Sequence, residues 1–339
     1  MANEIELKLR IAESSAHLLN DHPAITERLI EAPWTRKLVS IYYDTPDLSL
    51  LDAGLNLRIR SMAGGWFQAI KSTGQSIGGL HQRLEWEDLL TRNEPDFNKI
   101  SEPHLKNIFA DLKLREALKP VFIVDVVRTD WLLKYPDGSA IEVSVDIGDL
   151  KSSTDRACEH ICPIEELEIE LIQGNTYHLF ELALALQQDI PLSIENGSKA
   201  QMGYRYLRPQ PLIKTHAQAM NIKRYKQPPT TKQIMQEALT SMQENQEILK
   251  KVNHTPAIYH MKLASSRLAS ALAYSGFRAT NKDTLRIIQD SDWLEQFLIS
   301  PCDNFAYQNL NAILNGQRYQ RILLSLGAWL HNSQKCNQY

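Results

Sequence analysis

The sequence predicts an α+β protein: an eight-stranded antiparallel β-barrel with flanking helices over residues 1–207, then a small α-helical bundle. Three observations predict it. Eight segments alternate apolar and polar residues with period two, the spacing that sends successive side chains to opposite faces of a strand. Turn residues separate most of these segments closely enough for hairpins, and eight antiparallel strands can close into one barrel. Past a proline-bearing stretch at residues 208–230 the alternation stops and apolar residues recur at helical spacing.

Residues 3–11 form the first predicted strand, with Glu4, Glu6, Lys8 and Arg10 on one face and Ile5, Leu7, Leu9 and Ile11 on the other. An amphipathic helix is expected over residues 13–31. Strands follow at 36–43, 55–62, 65–72 and 80–88, separated by Asp44-Thr45-Pro46-Asp47, by Gly64-Gly65 and by the glycine-bearing loop 73–79. A mostly helical stretch is expected at 94–118. Strands resume at 120–134, 139–148 and 163–172, with Pro136-Asp137-Gly138 as a hairpin turn. Helices are expected at 174–188 and 197–207, and residues 208–230, with Pro209, Pro211, Pro228 and Pro229, read as a linker. Beyond it, in a helical domain at 231–339, Thr230 and Thr231 can cap a helix to about residue 252. Pro256 suits the first turn of a second helix ending near Gly276, and further helices are expected at 281–299 and 303–332.

The chain has 339 residues, 43% hydrophobic and 23% charged, a composition that can build sizeable cores. No apolar run approaches the ~18 residues of a membrane-spanning helix. The charged alternation starts where a signal peptide would need a continuous apolar stretch, so a cytoplasmic protein without membrane partners is expected. Four cysteines are too few for a disulfide scaffold, and Cys158, His160 and Cys162 have no further ligand at zinc spacing nearby. The net charge of −3 hides an asymmetry: 23 basic against 32 acidic residues through residue 219, and 14 against 8 beyond it. An acidic first part argues against nucleic acid as a partner.

The polar faces of the strands are unusual. Arg58 and Arg60 share a face opposite Leu57 and Ile59; Arg83, Glu85 and Glu87 share one opposite Leu84 and Trp86. Glu142, Ser144 and Asp146 oppose Val143 and Val145, and Glu166, Glu168 and Glu170 oppose Leu167 and Ile169. Lys71 ends one strand and Arg128 lies within another. One face of an antiparallel sheet often meets water, but solvent faces are rich in Thr, Ser, Lys and Gln. Pairs of Glu or Arg two residues apart repel, so charge of opposite sign should sit between them. A closed barrel with charged faces inward and apolar faces outward under helices accounts for both. Closure sets the first strand beside the last, so that Glu4 and Glu6 face Glu168 and Glu170 across one wall, a cluster that demands a cation or protons. Hard carboxylate oxygens suit Mg²⁺ or Mn²⁺. Arg58, Arg60, Arg83 and Arg128 would supply forked donors for phosphate oxygens, with Lys8 and Lys71 as point charges.

Glu4 to Lys8, E-I-E-L-K, resembles the ExExK signature of the CYTH, or triphosphate tunnel metalloenzyme, superfamily. The order of the rest strengthens the resemblance: Y-Y-D-T-P-D from Tyr42, L-R-I-R from Leu57, I-K at Ile70-Lys71, R-L-E-W-E from Arg83, E-L-E-I-E-L from Glu166 and S-K-A from Ser198. Together they resemble the bacterial inorganic triphosphatase branch. The resemblance implies an eight-stranded tunnel, a divalent metal, and hydrolysis of tripolyphosphate to pyrophosphate and phosphate by a metal-activated water. It carries metal-ligand roles onto Glu4, Glu6, Glu168 and Glu170, and phosphate-binding roles onto Lys8, Arg58, Arg60, Lys71, Arg83, Arg128 and Lys199. Glu85, Glu87 and Asp146 either bind a second metal or orient the basic residues. No residue is assigned as general base.

Residues 259–272, Y-H-M-K-L-A-S-S-R-L-A-S-A-L, resemble the first-helix motif of CHAD domains, whose basic helices bind polyphosphate. Tyr259 stands where the family's histidine falls, Lys262 replaces an arginine, Ser266 and Ala269 stand where basic residues are expected, and the segment is about half a CHAD domain. A stabilising appendage with at most weak polyphosphate binding is the expectation. The loop with Gly74, Gly78 and Gly79 lacks the Lys-Ser/Thr of a P-loop and reads as a hairpin turn. Trp34, Trp66, Trp86 and Trp131 read as outer packing. Thiamine triphosphatase, nucleoside triphosphatase or adenylyl cyclase chemistry in the same tunnel, or a non-catalytic polyphosphate-binding module, are the alternatives.

Overall fold

The structure, a computed structural model, describes residues 2–62, 64–153, 160–208, 229–249, 254–274, 282–298 and 304–331. They fall into two compact units: Met1–Ser76, His81–Gly174 and Gly197–Pro209 in the first, and Ile77–Leu80, Asn175–Asn196 and Gln210–Tyr339 in the second. Most of the expected linker, residues 209–228, lies outside the described residues, as does Cys158.

The strands are β1 (Ala2–Ile11), β2 (Trp34–Asp44), β3 (Leu55–Met62), β4 (Gly65–Ser72), the short β5 (Gln75–Ile77), β6 (Leu80–Leu90), β7 (Lys119–Lys134), β8 (Ala140–Ser152) and β9 (His160–Gln173). Eight of them run in the order β1-β9-β8-β7-β2-β3-β4-β6, and a β1–β6 pairing closes the ring. The first strand lies beside the last, with Glu6 opposite Glu170 and Lys8 opposite Glu168. Closure removes the unpaired edges of an open sheet and buries both strand faces. On β1, Glu6 and Lys8 are 2% exposed on one face, while Leu7 and Leu9 are fully buried on the other.

The short helices of the first unit are α1 (Glu13–Ala16), α2 (Pro23–Thr26), α3 (Ser49–Asp52), α4 (Pro103–Ile108) and α5 (Leu112–Ala117). The continuous helix expected over residues 13–31 is absent. His22 precedes a proline, is extended, and caps α2 by accepting from Ala24 N, so the helical path breaks there. The chain then turns extended, where Leu29 bridges to Leu133. Within 94–118 only α4 and α5 are helical; Pro103 starts the first and the Asp111 side chain caps the second. Ile100, Leu105 and Phe109 pack with Leu50 of α3 against Leu57, Ile59 and Ile70 on the outside of β3 and β4. Trp66 and Trp86 join that outer layer.

Two further elements follow in chain order, α6 (Tyr177–Leu186) and β10 (Leu192–Ile194), both in the second unit. The next, α7 (Lys199–Leu207), returns to the first unit and closes one end of the barrel. Ser198 and Gln201 form a capping box at its start. Its Ala200 and Tyr204 pack among Leu38, Phe122, Val124, Val126, Leu150 and Ile164. A Cβ at Gly203 would lie 2.5 Å from the Phe122 ring, so only glycine allows that approach. Phe122, Val124 and Val126 share their strand face with Arg128, so the lumen is apolar at the α7 end and charged beyond it.

The second unit also contains α8 (Thr231–Leu249), α9 (Thr255–Tyr274), α10 (Lys282–Phe297), α11 (Asn304–Asn315) and α12 (Gln317–His331). The single helix expected at 303–332 is two, broken at Gly316. α12 packs on α6: Phe180 stacks on His331, and Gly327 lies so near Phe180 that a Cβ would sit 2.3 Å from the ring. Gln320 accepts from Ile194 N at 2.9 Å. Among the described residues no helix is long and apolar enough to cross a membrane.

Candidate active site

Inside the barrel lies a cavity of about 590 Å³ lined by eight basic and six acidic side chains. Of the fourteen residues singled out from the sequence, twelve line it; Glu6 and Asp146 stand just behind the lining and hold lining cations. Period two explains this convergence, since every lining strand turns alternate residues to the lumen.

Towards α7 the charges are mutually satisfied. Arg128 donates to both Asp146 oxygens at 2.7 and 2.6 Å and to Glu168 Oε2 at 2.5 Å. Lys199, the first residue of α7, contacts Asp146 at 2.8 Å, Glu168 at 3.0 Å, and Glu166. Lys8 contacts Glu6 at 2.8 Å, Glu166 at 3.4 Å, and Glu168. Burial opposes the charge of Glu168, but Lys199, Lys8 and Arg128 outweigh it and hold the carboxyl well below its ordinary range. Burial pushes Glu166 up to about 7 despite the two lysines. Asp146, Glu166 and Glu168 are close enough to share a cation, yet three basic side chains already fill the space among them.

The other side of the cavity is not self-satisfied. Arg83 donates to Glu4 at 2.5 Å and Glu6 at 2.8 Å, and Lys71 contacts Glu4 at 2.8 Å and Glu85 at 3.0 Å. Burial would raise Glu4, but Lys71 and Arg83 hold it well below its ordinary range. Glu142 and Glu170 are register partners on β8 and β9, and neither has an ion pair among the described residues. Burial and then Glu4, Glu6 and Glu168 push Glu170 up to about 8. Arg58 reaches Glu85 only at 3.4 Å, and its Nε is buried without a partner. Arg60 donates to Ser40 Oγ at 3.0 Å and has no carboxylate partner among the described residues. Burial, then Arg58 and Arg128, bring its pKa down to about 10. Glu87 lines the cavity without an ion pair among the described residues.

The profile of the CYTH domain matches residues 2–204. The chain belongs to the CYTH family. In this CYTH chain the matched residues include every singled-out site residue from Glu4 to Lys199. The chain is 31% identical to the inorganic triphosphatase of Haemophilus influenzae over 205 residues, which make up 60% of this chain and 55% of that protein. It thus spans about half the length of that curated relative. Among solved structures, a Hippeastrum protein described as an adenylyl cyclase candidate with a dominant triphosphatase activity is 16% identical, covering 60% of this chain and 96% of that one at a TM-score of 0.42. The crystal structure of an inorganic triphosphatase is also 16% identical, covering 60% and 95% at 0.23.

The family implies a divalent metal, and the residues fit one. Glu170 is a half-buried carboxyl with no ion pair among the described residues, beside Glu4, Glu6, Glu168 and Glu142, all offering hard oxygens. Sequence reasoning gave Glu142 no site role and missed Arg36, Tyr42 and Asn56 in the lining. Period two does set Glu142 on the same inward face as Asp146. Arg36 shares its face with Ser40 and Tyr42, but only the β2–β7 register, which sets it opposite Arg128, reveals its neighbourhood. Trp34, expected in the outer layer, has the same face as Arg36, whose guanidinium lies 5.7 Å from its ring.

Proposed function

We propose that this protein is a metal-dependent inorganic triphosphatase that hydrolyses tripolyphosphate to pyrophosphate and phosphate inside the barrel. One observation carries the reading: Arg60, a half-buried cation with no carboxylate ion pair among the described residues, and Glu170, a half-buried carboxyl with no ion pair among them, line one cavity. An unpaired cation and an unpaired carboxyl in one cavity suit a ligand of each sign, the cation ligand displacing the carboxyl's proton. The 31% identity to an inorganic triphosphatase supports the same conclusion.

In this reading Glu4, Glu6, Glu168 and Glu170, joined by Glu142, hold Mg²⁺ or Mn²⁺. When bound, the ion neutralises phosphoryl oxygens and favours attack by water. Arg58, Arg60 and Arg83 give forked hydrogen bonds to the phosphate chain, and Lys8, Lys71, Arg128 and Lys199 add fixed positive charge. Glu85, held between Lys71 and Arg58, orients both; Asp146 does so for Arg128 and Lys199. Glu87 is assigned to a second metal or to orienting Arg58, whose charge it favours from two strands away. The apolar end sealed by α7 excludes water behind the substrate, which strengthens each charged contact. The cytoplasm, where triphosphates are abundant, is the proposed location. We assign residues 231–339, after a linker at 208–230, to a partial CHAD-like appendage that binds polyphosphate weakly.

Phosphate release from tripolyphosphate, ATP and thiamine triphosphate, each with Mg²⁺, Mn²⁺ or EDTA, tests the reading. Tripolyphosphate should be the best substrate and EDTA should abolish turnover. Cyclic nucleotide formation, or tight polyphosphate binding without phosphate release, would replace it with a cyclase or a binding module.

A further inference from the structure

Arg36 belongs to none of the roles above, although it lines the cavity. It sits on β2 directly opposite Arg128 on β7. Two arginines as cross-strand partners repel unless each is turned to a carboxylate. Arg128 is turned to Asp146 and Glu168; Arg36 Nη1 lies 2.5 Å from Oδ2 of Asp130. Asp130 is fully buried and fixed by a 2.5 Å hydrogen bond from Ser144 Oγ. The Arg36–Asp130 contact is close but off-axis, for Asp130 Oδ2 accepts no aligned hydrogen bond. Arg36 Nε is buried and has no acceptor either. Asp130 therefore anchors the guanidinium without using up its donors, and the Trp34 ring flanks it.

Its place along the barrel matters. On β7 the lumen face runs from Phe122, Val124 and Val126 in the apolar plug to Arg128 and then Asp130. Phe122 to Asp130 spans about 26 Å of strand. Arg36 and Asp130 thus stand at the end away from α7, where any organic group on a substrate entering from that side would remain.

We propose that Arg36 is a specificity-determining residue of this site: at the open end its guanidinium binds the outermost phosphoryl group of an inorganic triphosphate. A free terminal phosphoryl group offers one more non-bridging oxygen, and more negative charge, than a phosphoryl group esterified to an organic alcohol. A planar, anchored fork with unused donors favours the first over the second. This inference rests on the triphosphate reading of the cavity.

The test compares tripolyphosphate with ATP on the full chain, by calorimetric affinity with Mg²⁺ present and by kcat/KM. Arg36→Ala should weaken tripolyphosphate about tenfold more than it weakens ATP, the worth of one charged hydrogen bond. Arg36→Lys should restore part of the preference. Because Arg36→Ala strands the buried Asp130, Arg36→Ala/Asp130→Asn serves as the folded control and should show the same loss of preference. Equal losses for the two ligands, or none, overturn the proposal. Discriminating binding without phosphate release would retain Arg36 and discard the hydrolase; a wild-type protein that binds neither ligand discards both.

Discussion

Glu6 and Glu170 are direct register partners on β1 and β9, so strands from the two ends of the barrel sequence meet carboxylate to carboxylate. Glu142 on β8 continues the row from the other side of Glu170. Of the three, Glu6 alone has basic partners among the described residues, in Arg83 and Lys8. The row is a place where protons or a cation must enter, and the choice between them can be measured.

Glu170 is pushed up to about 8 from 4.5 by burial and by Glu4, Glu6 and Glu168. A raised carboxyl favours the protonated form in the fold. The stability it contributes is complete below 4.5 and lost as pH rises through about 8, so the metal-free barrel should weaken over that window. A cation binding there must expel the proton. Calorimetric titration of Mg²⁺ or Mn²⁺ in buffers of different ionisation heat should show about one proton released per cation near pH 6.5, falling towards none above about pH 9. Proton-neutral binding at pH 6.5 would remove Glu170 from the ligands.

Glu168→Gln and Glu170→Gln should each lower tripolyphosphate turnover by about a hundredfold or more. Their stabilities should differ. Glu168 faces Lys8, Arg128 and Lys199, so losing its charge leaves buried cations underpaired and lowers the unfolding temperature. Glutamine at 170 mimics the protonated form already favoured there and should cost little. Full activity of both variants at limiting metal, or equal destabilisation, contradicts the arrangement.

Arg60→Ala should separate stability from function. The substrate-free protein should unfold at the same temperature or higher, because a half-buried guanidinium with no carboxylate ion pair among the described residues is removed. Tripolyphosphate binding should weaken by about 1.5–3 kcal/mol, the worth of a hydrogen bond to a charged group. Lower stability with unchanged KM and kcat would make Arg60 a structural residue.

The barrel was legible because both of its faces follow period two, so Leu7, Leu9, Glu6 and Lys8 announce strand, lumen and outer layer together. The convergence of the charged residues was legible for the same reason. Pairing was not: nothing in the alternation says that Arg83 spans Glu4 and Glu6, or that Glu170 is left alone, because these depend on register and side-chain reach. Nor did local pattern reveal that part of the lumen is apolar, since only the fold puts Ala200 and Tyr204 of α7 against Phe122 and Val124. The helix expected at 13–31 failed at His22-Pro23, where backbone chemistry overrides an amphipathic pattern.

The last prediction concerns what the helical unit contributes. Every proposed ligand lies between Glu4 and Lys199, so a chain ending after residue 208 keeps the whole site. It does not keep the surroundings of α6, which belongs to the helical unit and buries Leu179, Phe180, Leu182, Ala183 and Leu186. Removing α12 takes away His331 from the Phe180 ring and the close approach of Gly327. The shortened chain should therefore aggregate or unfold at lower temperature, as expected when an apolar face is uncovered. Polar substitutions at Leu179 and Phe180 should restore solubility, and the soluble protein should keep metal-dependent kcat within about threefold of the full chain, a barrier change under about 1 kcal/mol. The isolated fragment from Thr230 should bind long polyphosphate only weakly at physiological ionic strength, where its 11 basic against 8 acidic residues give a screened attraction. A folded, soluble barrel without activity, or tight binding by the fragment in salt, would make the helices part of substrate handling rather than a support for α6.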